Sequence, residues 1–180
     1  MPLQFVKPAA VDERSAGQPV AALGRLLDEL ATLLIGIEPE VYCDRPLSRA
    51  SGSIGEHVRH CLDHVAALLA AGPRLPLCYD QRERGTSIET SPLDAVRQML
   101  RFKAALARWR DRSLDEPIRL TLTTSASGEA FTTWSTLGRE LAFVASHTIH
   151  HQAMIAVLVS LSGIEVPDRF GYSPSTPVGH

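Results

Sequence analysis

Val20, Leu23, Leu27, Leu30, Leu34 and Ile37 recur at alternating steps of three and four, the period of an amphipathic helix, and Pro39 marks its stop. After a loop holding Pro46 and Gly52, Ser53 followed three residues later by Glu56 predicts a capping box that opens a second helix. Ile54, Val58, Cys61, Val65 and Leu68 form its apolar stripe, and Gly72-Pro73 closes it. Ser91 as N-cap, Pro92 at the first helical position and Asp94 in the first turn open a third helix through Val96, Met99, Leu100, Leu106 and Trp109. The period then drops to two. Ile118, Leu120 and Leu122 alternate with Arg119, Thr121 and Thr123, and a turn cluster from Ser125 to Glu129 leads to Phe131–Trp134, which predicts a short β-hairpin. From Ser135 or Thr136 to about Ser162 the helical period returns through Leu137, Leu141, Val144, Ile155, Leu158 and Leu161, and Gly163 and Pro167 mark the exit.

The expected fold class is therefore all-α, a four-helix bundle with a short β-hairpin inserted before the last helix. One domain is expected over residues 1–180, with an N-terminal arm at 1–15 and a Pro-rich C-terminal tail at 164–180. The polar, Arg-rich stretch around 78–86 is long for a connector and is a candidate lid or substrate loop. Within it Asp80, Arg82 and Arg84 are candidates for holding an anionic substrate group, against the plainer reading of a solvated surface run. The tail run Arg169-Phe170-Gly171-Tyr172-Ser173-Pro174 is expected to cover a pocket or a dimer contact.

With 180 residues, 44% hydrophobic, 21% charged and a formal net charge of −2, the composition is that of an ordinary globule rather than a disordered tail. Near-neutrality argues against nucleic acid as a partner, since phosphate binding calls for a basic face. Apolar runs such as Leu33 to Ile35 and Ala153 to Val159 fall short of the roughly 20 residues that span a bilayer, so no membrane partner is expected. Met1 to Ala10 does not have the pattern of a secretory signal, and three cysteines at unmotivated spacings fit a reducing compartment, so the cytoplasm is the expected location.

Six of the seven histidines fall in two groups, His57, His60 and His64 on the second helix, and His147, His150 and His151 on the fourth. His147 and His151 are four residues apart, so they share one helix face at about 6 Å between Cβ atoms, as two ligands of one ion must. That face continues through Val144, Met154 and Leu158 into the apolar interior, where a pair of uncharged imidazoles needs partners and a divalent metal supplies one. The competing reading is a pair of hydrogen-bonded core histidines. Helical-wheel arithmetic puts His57 and His64 beside the apolar stripe and His60 farther out, so periodicity alone selects His57 or His64 as the third ligand.

Gly52-Ser53-Ile54-Gly55-Glu56-His57-Val58-Arg59-His60-Cys61-Leu62-Asp63, taken with His147-Thr148-Ile149-His150-His151-Gln152-Ala153-Met154-Ile155, resembles the DinB/YfiT-like metalloenzyme family. The resemblance spans nearly the whole chain. It implies a metal held by one histidine of the second helix, ahead of an apolar-Asp run, and by the first and last histidines of an HxxxH on the fourth. By position these are His60, His147 and His151, with His57 and His64 as alternates. Many relatives follow the last ligand with Arg-Gly-Gln; here Gln152-Ala153-Met154 stand there, so the role of that Arg is absent or moved.

Three neutral imidazoles leave a divalent ion with open coordination positions, the catalytic rather than the structural pattern. Zinc is the expected metal, and nickel or manganese would suit the same donors. The resemblance implies a metal-dependent enzyme acting on a small molecule, a hydrolase or an S-transferase using a low-molecular-weight thiol as cosubstrate. The alternative is a non-catalytic metal-binding module that forms a homodimer through exposed helix faces. Asp63, three residues after His60, and Glu140, two turns before His147, are candidates for orienting an imidazole, against the plainer readings of a solvated Asp and an Arg-paired Glu. Cys61 sits on the buried stripe and is read as a small hydrophobe, not a nucleophile.

Overall fold

The computed structural model describes residues 15–47, 51–72, 75–80 and 84–177; the expected N-terminal arm up to residue 14, the end of the tail and Arg82 lie outside them. Among these residues the chain forms five helices and a three-stranded sheet: α1 (Gly17–Ile35), α2 (Pro39–Cys43), α3 (Ile54–Ala70), β1 (Leu77–Cys78), α4 (Pro92–Leu106), β2 (Pro117–Thr123), β3 (Ala130–Thr136) and α5 (Leu137–Leu161). Pro39 does end the first helix, but it also opens a second. Proline at a first helical position lacks only an N–H that would go unpaired there, so the five-residue α2 starts on it. The side chain of Tyr42 in α2 is fully buried, and its hydroxyl donates to the Ile88 carbonyl at 2.8 Å.

The start signals act as their chemistry dictates. Ser53 Oγ accepts from Glu56 N while Glu56 Oε2 accepts from Ser53 N at 2.8 Å, the reciprocal box that begins α3. Ser91 Oγ accepts from Asp94 N ahead of α4, and Thr136 Oγ1 from Arg139 N ahead of α5. Each exchange satisfies a helix-end donor that would otherwise have no partner.

The four long helices bury their stripes against one another. α1 packs on α4 and α5, and α3 packs on the same two. Leu23, Leu27, Leu30, Leu62, Leu68, Leu141 and Ile155 are among the residues of the shared interior. Each such side chain contributes roughly 1.5–3 kcal/mol relative to exposure. The α3–α5 contact matters most for function, because it places both histidine-bearing helices side by side.

The hairpin expected between α4 and α5 is present as β2 and β3, paired antiparallel from Pro117↔Thr136 to Thr123↔Ala130. It carries an addition: β1 pairs in parallel with β2, Leu77 opposite Leu120 and Cys78 opposite Thr121. Part of the candidate lid is thus built into the sheet, with Leu77 buried beneath it. A two-residue strand has no period to read, which is why sequence patterning misses it.

α5 differs from the other long helices in having no Asp, Glu, Lys or Arg from Leu141 to Leu161. Its length and its mean hydropathy of 1.3 would suffice to cross a membrane, and 39% of that window is buried inside the protein. Counting unbroken apolar runs overlooks this, since Ser, His, Thr and Gln interrupt the runs without adding charge.

Candidate metal centre

Five imidazoles gather where α3 faces α5. His60 Nε2 and His147 Nε2 stand 2.9 Å apart although 87 residues separate them in the chain. The ring of His60 lies 4.6 Å from His64, 4.9 Å from His147 and 4.6 Å from His151, centroid to centroid. His147 and His151 are 4.5 Å apart, and His57 lies behind His151 at 5.2 Å.

Two triads share His60 and His147. The ring nitrogens of His60, His64 and His147 all lie within 4.8 Å of one another. His60, His147 and His151 form a nearly regular triangle of rings, each pair inclined by 67° to 75°. Two imidazole ligands of a tetrahedral zinc ion, with bonds of about 2.0–2.1 Å, hold their nitrogens about 3.3 Å apart, so the 2.9 Å pair needs only a small relaxation to accept a cation.

The hydrogen bonds behind these rings fix their tautomers. His64 Nδ1 lies 2.9 Å from the His60 carbonyl. A carbonyl only accepts, so Nδ1 carries the proton and Nε2 keeps its lone pair. His57 Nε2 donates in the same way to the Ser51 carbonyl at 2.8 Å, which leaves His57 Nδ1 as an acceptor. His151 Nδ1, 3.0 Å away, is then the donor to it, and the bare nitrogen of His151 is Nε2. His57 thus orients His151 as the partner of a metal-ligating histidine does.

Burial and crowding favour the neutral form. The pKa of His151 is lowered from its ordinary 6.5 to about 3, by burial first and then by the neighbouring His147 and His57. In metal-free protein the unfolded chain protonates near pH 6.5 while the folded one stays neutral, so stability falls as pH is lowered from about 6.5 toward 3. The expected slope is up to about 1.4 kcal/mol per pH unit. Urea unfolding in chelator at pH 7, 6 and 5 measures it; His151→Asn should flatten the dependence, and an unchanged slope in that variant would show that His151 is not its source.

Glu140 does not orient His147. Its side chain is fully buried, and its oxygens accept from Tyr79 Oη at 2.7 Å, Ser135 Oγ at 2.5 Å and Arg139 Nη1 at 2.8 Å. The plainer reading of an Arg-paired Glu is therefore part of the answer. The other part is Tyr79, whose ring stacks on His64 at 4.9 Å and 15°. Burial, and next its hydrogen bond to Glu140, push the Tyr79 phenol well above its ordinary range, keeping it a donor. Glu140 thus reaches the histidines indirectly, through Tyr79, a residue that no periodic pattern marks.

Asp63 is held by the Arg59 guanidinium, which also pairs with Glu89 at 2.5 Å. Asp80 Oδ2 accepts from the backbone N–H of Thr123 at 2.9 Å and so anchors the end of β2, while Arg84 is exposed. Cys61 is fully buried, and burial followed by nearby Asp63 pushes its thiol up to about 12, in keeping with a small apolar side chain. Gln152, directly after His151, turns away toward α1 and donates to the Leu26 carbonyl at 2.9 Å. In the tail, Phe170 is buried and Gly171 lies so close to α5 that a Cβ there would meet Ala153 N at 2.5 Å.

Over 101 residues the chain is 34% identical to FK506-binding protein 5 of Rhizopus delemar, a stretch that is 56% of this chain and 26% of that protein. The chain thus spans about a quarter of that relative's length. No solved structure matches. A family model described as the DinB superfamily matches residues 22–155, a span that takes in both histidine groups and the helices presenting them, and the chain belongs to that superfamily.

Proposed function

We propose that this protein is a metal-dependent enzyme acting on a small molecule, built as a four-helix bundle with a divalent transition metal, zinc by preference, held by His60, His147 and His151. The observation that carries the reading is the convergence of imidazoles from α3 and α5, with His60 and His147 nitrogens 2.9 Å apart and His151 Nε2 left bare by the bond of its Nδ1 to His57. When bound, an ion on three histidines supplies Lewis-acid chemistry and lowers the pKa of a water or thiol beside it.

Of the two reaction classes considered, transfer from a low-molecular-weight thiol fits the surroundings better than hydrolysis. Hydrolysis gains from a carboxylate base, and the carboxylates near the ligands in sequence are engaged, Asp63 by Arg59, Glu56 by Arg45 and the Ser53 N–H, and Glu140 by three donors. A thiol, far more acidic than water, needs no such base. The chain's own groups would then hold the histidines in register, through His57 on one side and Tyr79 on the other. We place the protein in the cytoplasm, where such thiols are reduced.

A second reading rests on His64. With its nitrogen in the same 4.8 Å cluster, it would close the coordination sphere as a fourth ligand, which is the structural pattern of a non-catalytic metal-binding module. Protein purified without an immobilised-metal column should carry about one equivalent of transition metal. The loaded protein should conjugate cysteine or another small cellular thiol to a simple electrophile such as chlorodinitrobenzene, and the chelated protein should not. Full metal content with no turnover for any thiol would remove the transferase.

A further inference from the structure

Away from the histidines, the described residues enclose a cavity of about 350 Å³ with no histidine in its lining. Leu68, at its base, lies eight residues beyond His60, about 12 Å along α3. Both of the chain's tryptophans, Trp109 and Trp134, line this one space. Its volume is at the small end of the roughly 300–1,000 Å³ range of small-molecule pockets.

Charge on the walls is asymmetric. Arg112 lies over the Trp109 ring, its guanidinium carbon 4.2 Å from the centroid, and both its Nε and Nη2 are bonded to Glu116 at 2.8 and 2.5 Å. That pair is self-neutralising and stiffens the Trp109 wall. Arg119 is different: it is exposed, and among the described residues its side chain has no acidic partner. It stands on β2 directly opposite Trp134 on β3, so the guanidinium and the indole project from the same face of the sheet. Trp134 is 71% exposed, an unusual position for the largest apolar side chain beside an apolar hollow.

We propose that this cavity is a second binding site, for a flat aromatic carboxylate. The ring would be taken up by the two indoles and the floor at Leu68, and the acid group by the Arg119 guanidinium, whose planar fork matches a carboxylate. The lining residues Arg112, Glu116 and Arg119 sum to one positive charge, which selects the anion over a neutral or cationic ring of the same shape.

The test uses 4-nitrobenzoate and 4-nitrobenzyl alcohol as matched probes, followed by quenching of tryptophan emission and by calorimetry. The acid should bind saturably and about tenfold more tightly than the alcohol. Arg119→Gln should bring the two within about twofold, and Trp134→Ala should weaken both about tenfold. His60→Ala should leave both unchanged. Trp134→Ala changes an exposed side chain, so folding is not at stake. Three results would each overturn the proposal: no saturable binding, acid binding lost in His60→Ala but kept in Trp134→Ala, or an acid preference that persists in Arg119→Gln. Sedimentation that shows Trp134-dependent self-association with no probe bound would assign the surface to a second copy of the chain instead.

Discussion

His60→Ala should strip the protein of its transition metal, lowering affinity by at least about 100-fold against a chromophoric chelator. His60 and His147 each lie within 4.9 Å of the other and of His64 and His151, so both triads contain His60. The companion variants separate the readings. His151→Ala should lose about 100-fold, because it removes a donor whose Nε2 is left bare by the bond to His57. His57→Ala should lose about tenfold, since the ligand stays and only its orientation is freed. His64→Ala should also cost about tenfold if the ion has three ligands. A loss there as large as for His60→Ala would mean four ligands and a closed, structural site. Metal retained in His60→Ala would exclude His60 as a ligand and pass the α3 position to His64 or His57.

Gly55→Ala should destabilise the fold by about 3 kcal/mol or more, although alanine is the better helix former by about 1 kcal/mol. A Cβ at this position in the first turn of α3 would stand 2.1 Å from the Glu89 carbonyl oxygen and 2.7 Å from the Tyr42 ring. The backbone of the turn at 87–89 cannot yield without pulling Glu89 from Arg59 and Ile88 from the Tyr42 hydroxyl. Local propensity and packing thus predict opposite signs. Denaturant midpoints decide between them, and a Gly55→Ala protein as stable as the parent would show that the close approach is slack. Because His57 sits two residues further on, the same variant should also weaken metal binding.

How much of this was legible in the sequence depends on whether a feature is periodic. The long helices announce themselves through stripes such as Val20, Leu23 and Leu27, and α3, α4 and α5 also through caps whose partners lie within three residues. The hairpin is read from strict alternation. β1 and α2 are too short to repeat anything, and both exist through partners distant in sequence: Leu77 by pairing with Leu120, Tyr42 by bonding to Ile88. The histidine groups are visible from spacing, yet spacing cannot rank their members. The wheel favours His57 or His64, the latter 4% exposed, and disfavours His60, which is only half-buried, whereas the structure brings His60 and His64 into one cluster because α5 faces the edge of the stripe as well as its centre. The Glu140–Tyr79–His64 connection joins three segments and leaves no trace in any one of them.

The uncharged run of α5 has a consequence for how the chain is made. Its mean hydropathy of 1.3 over a membrane-length window is masked only by packing, chiefly on α1 and α3, both of which leave the ribosome earlier. Those two helices therefore act as a built-in chaperone, and their readiness when α5 emerges decides whether it docks or is captured by a bilayer or by another nascent copy. Changes that loosen α1 or α3 should thus be felt first as lost yield during synthesis, before any deficit is seen in the molecules that complete folding.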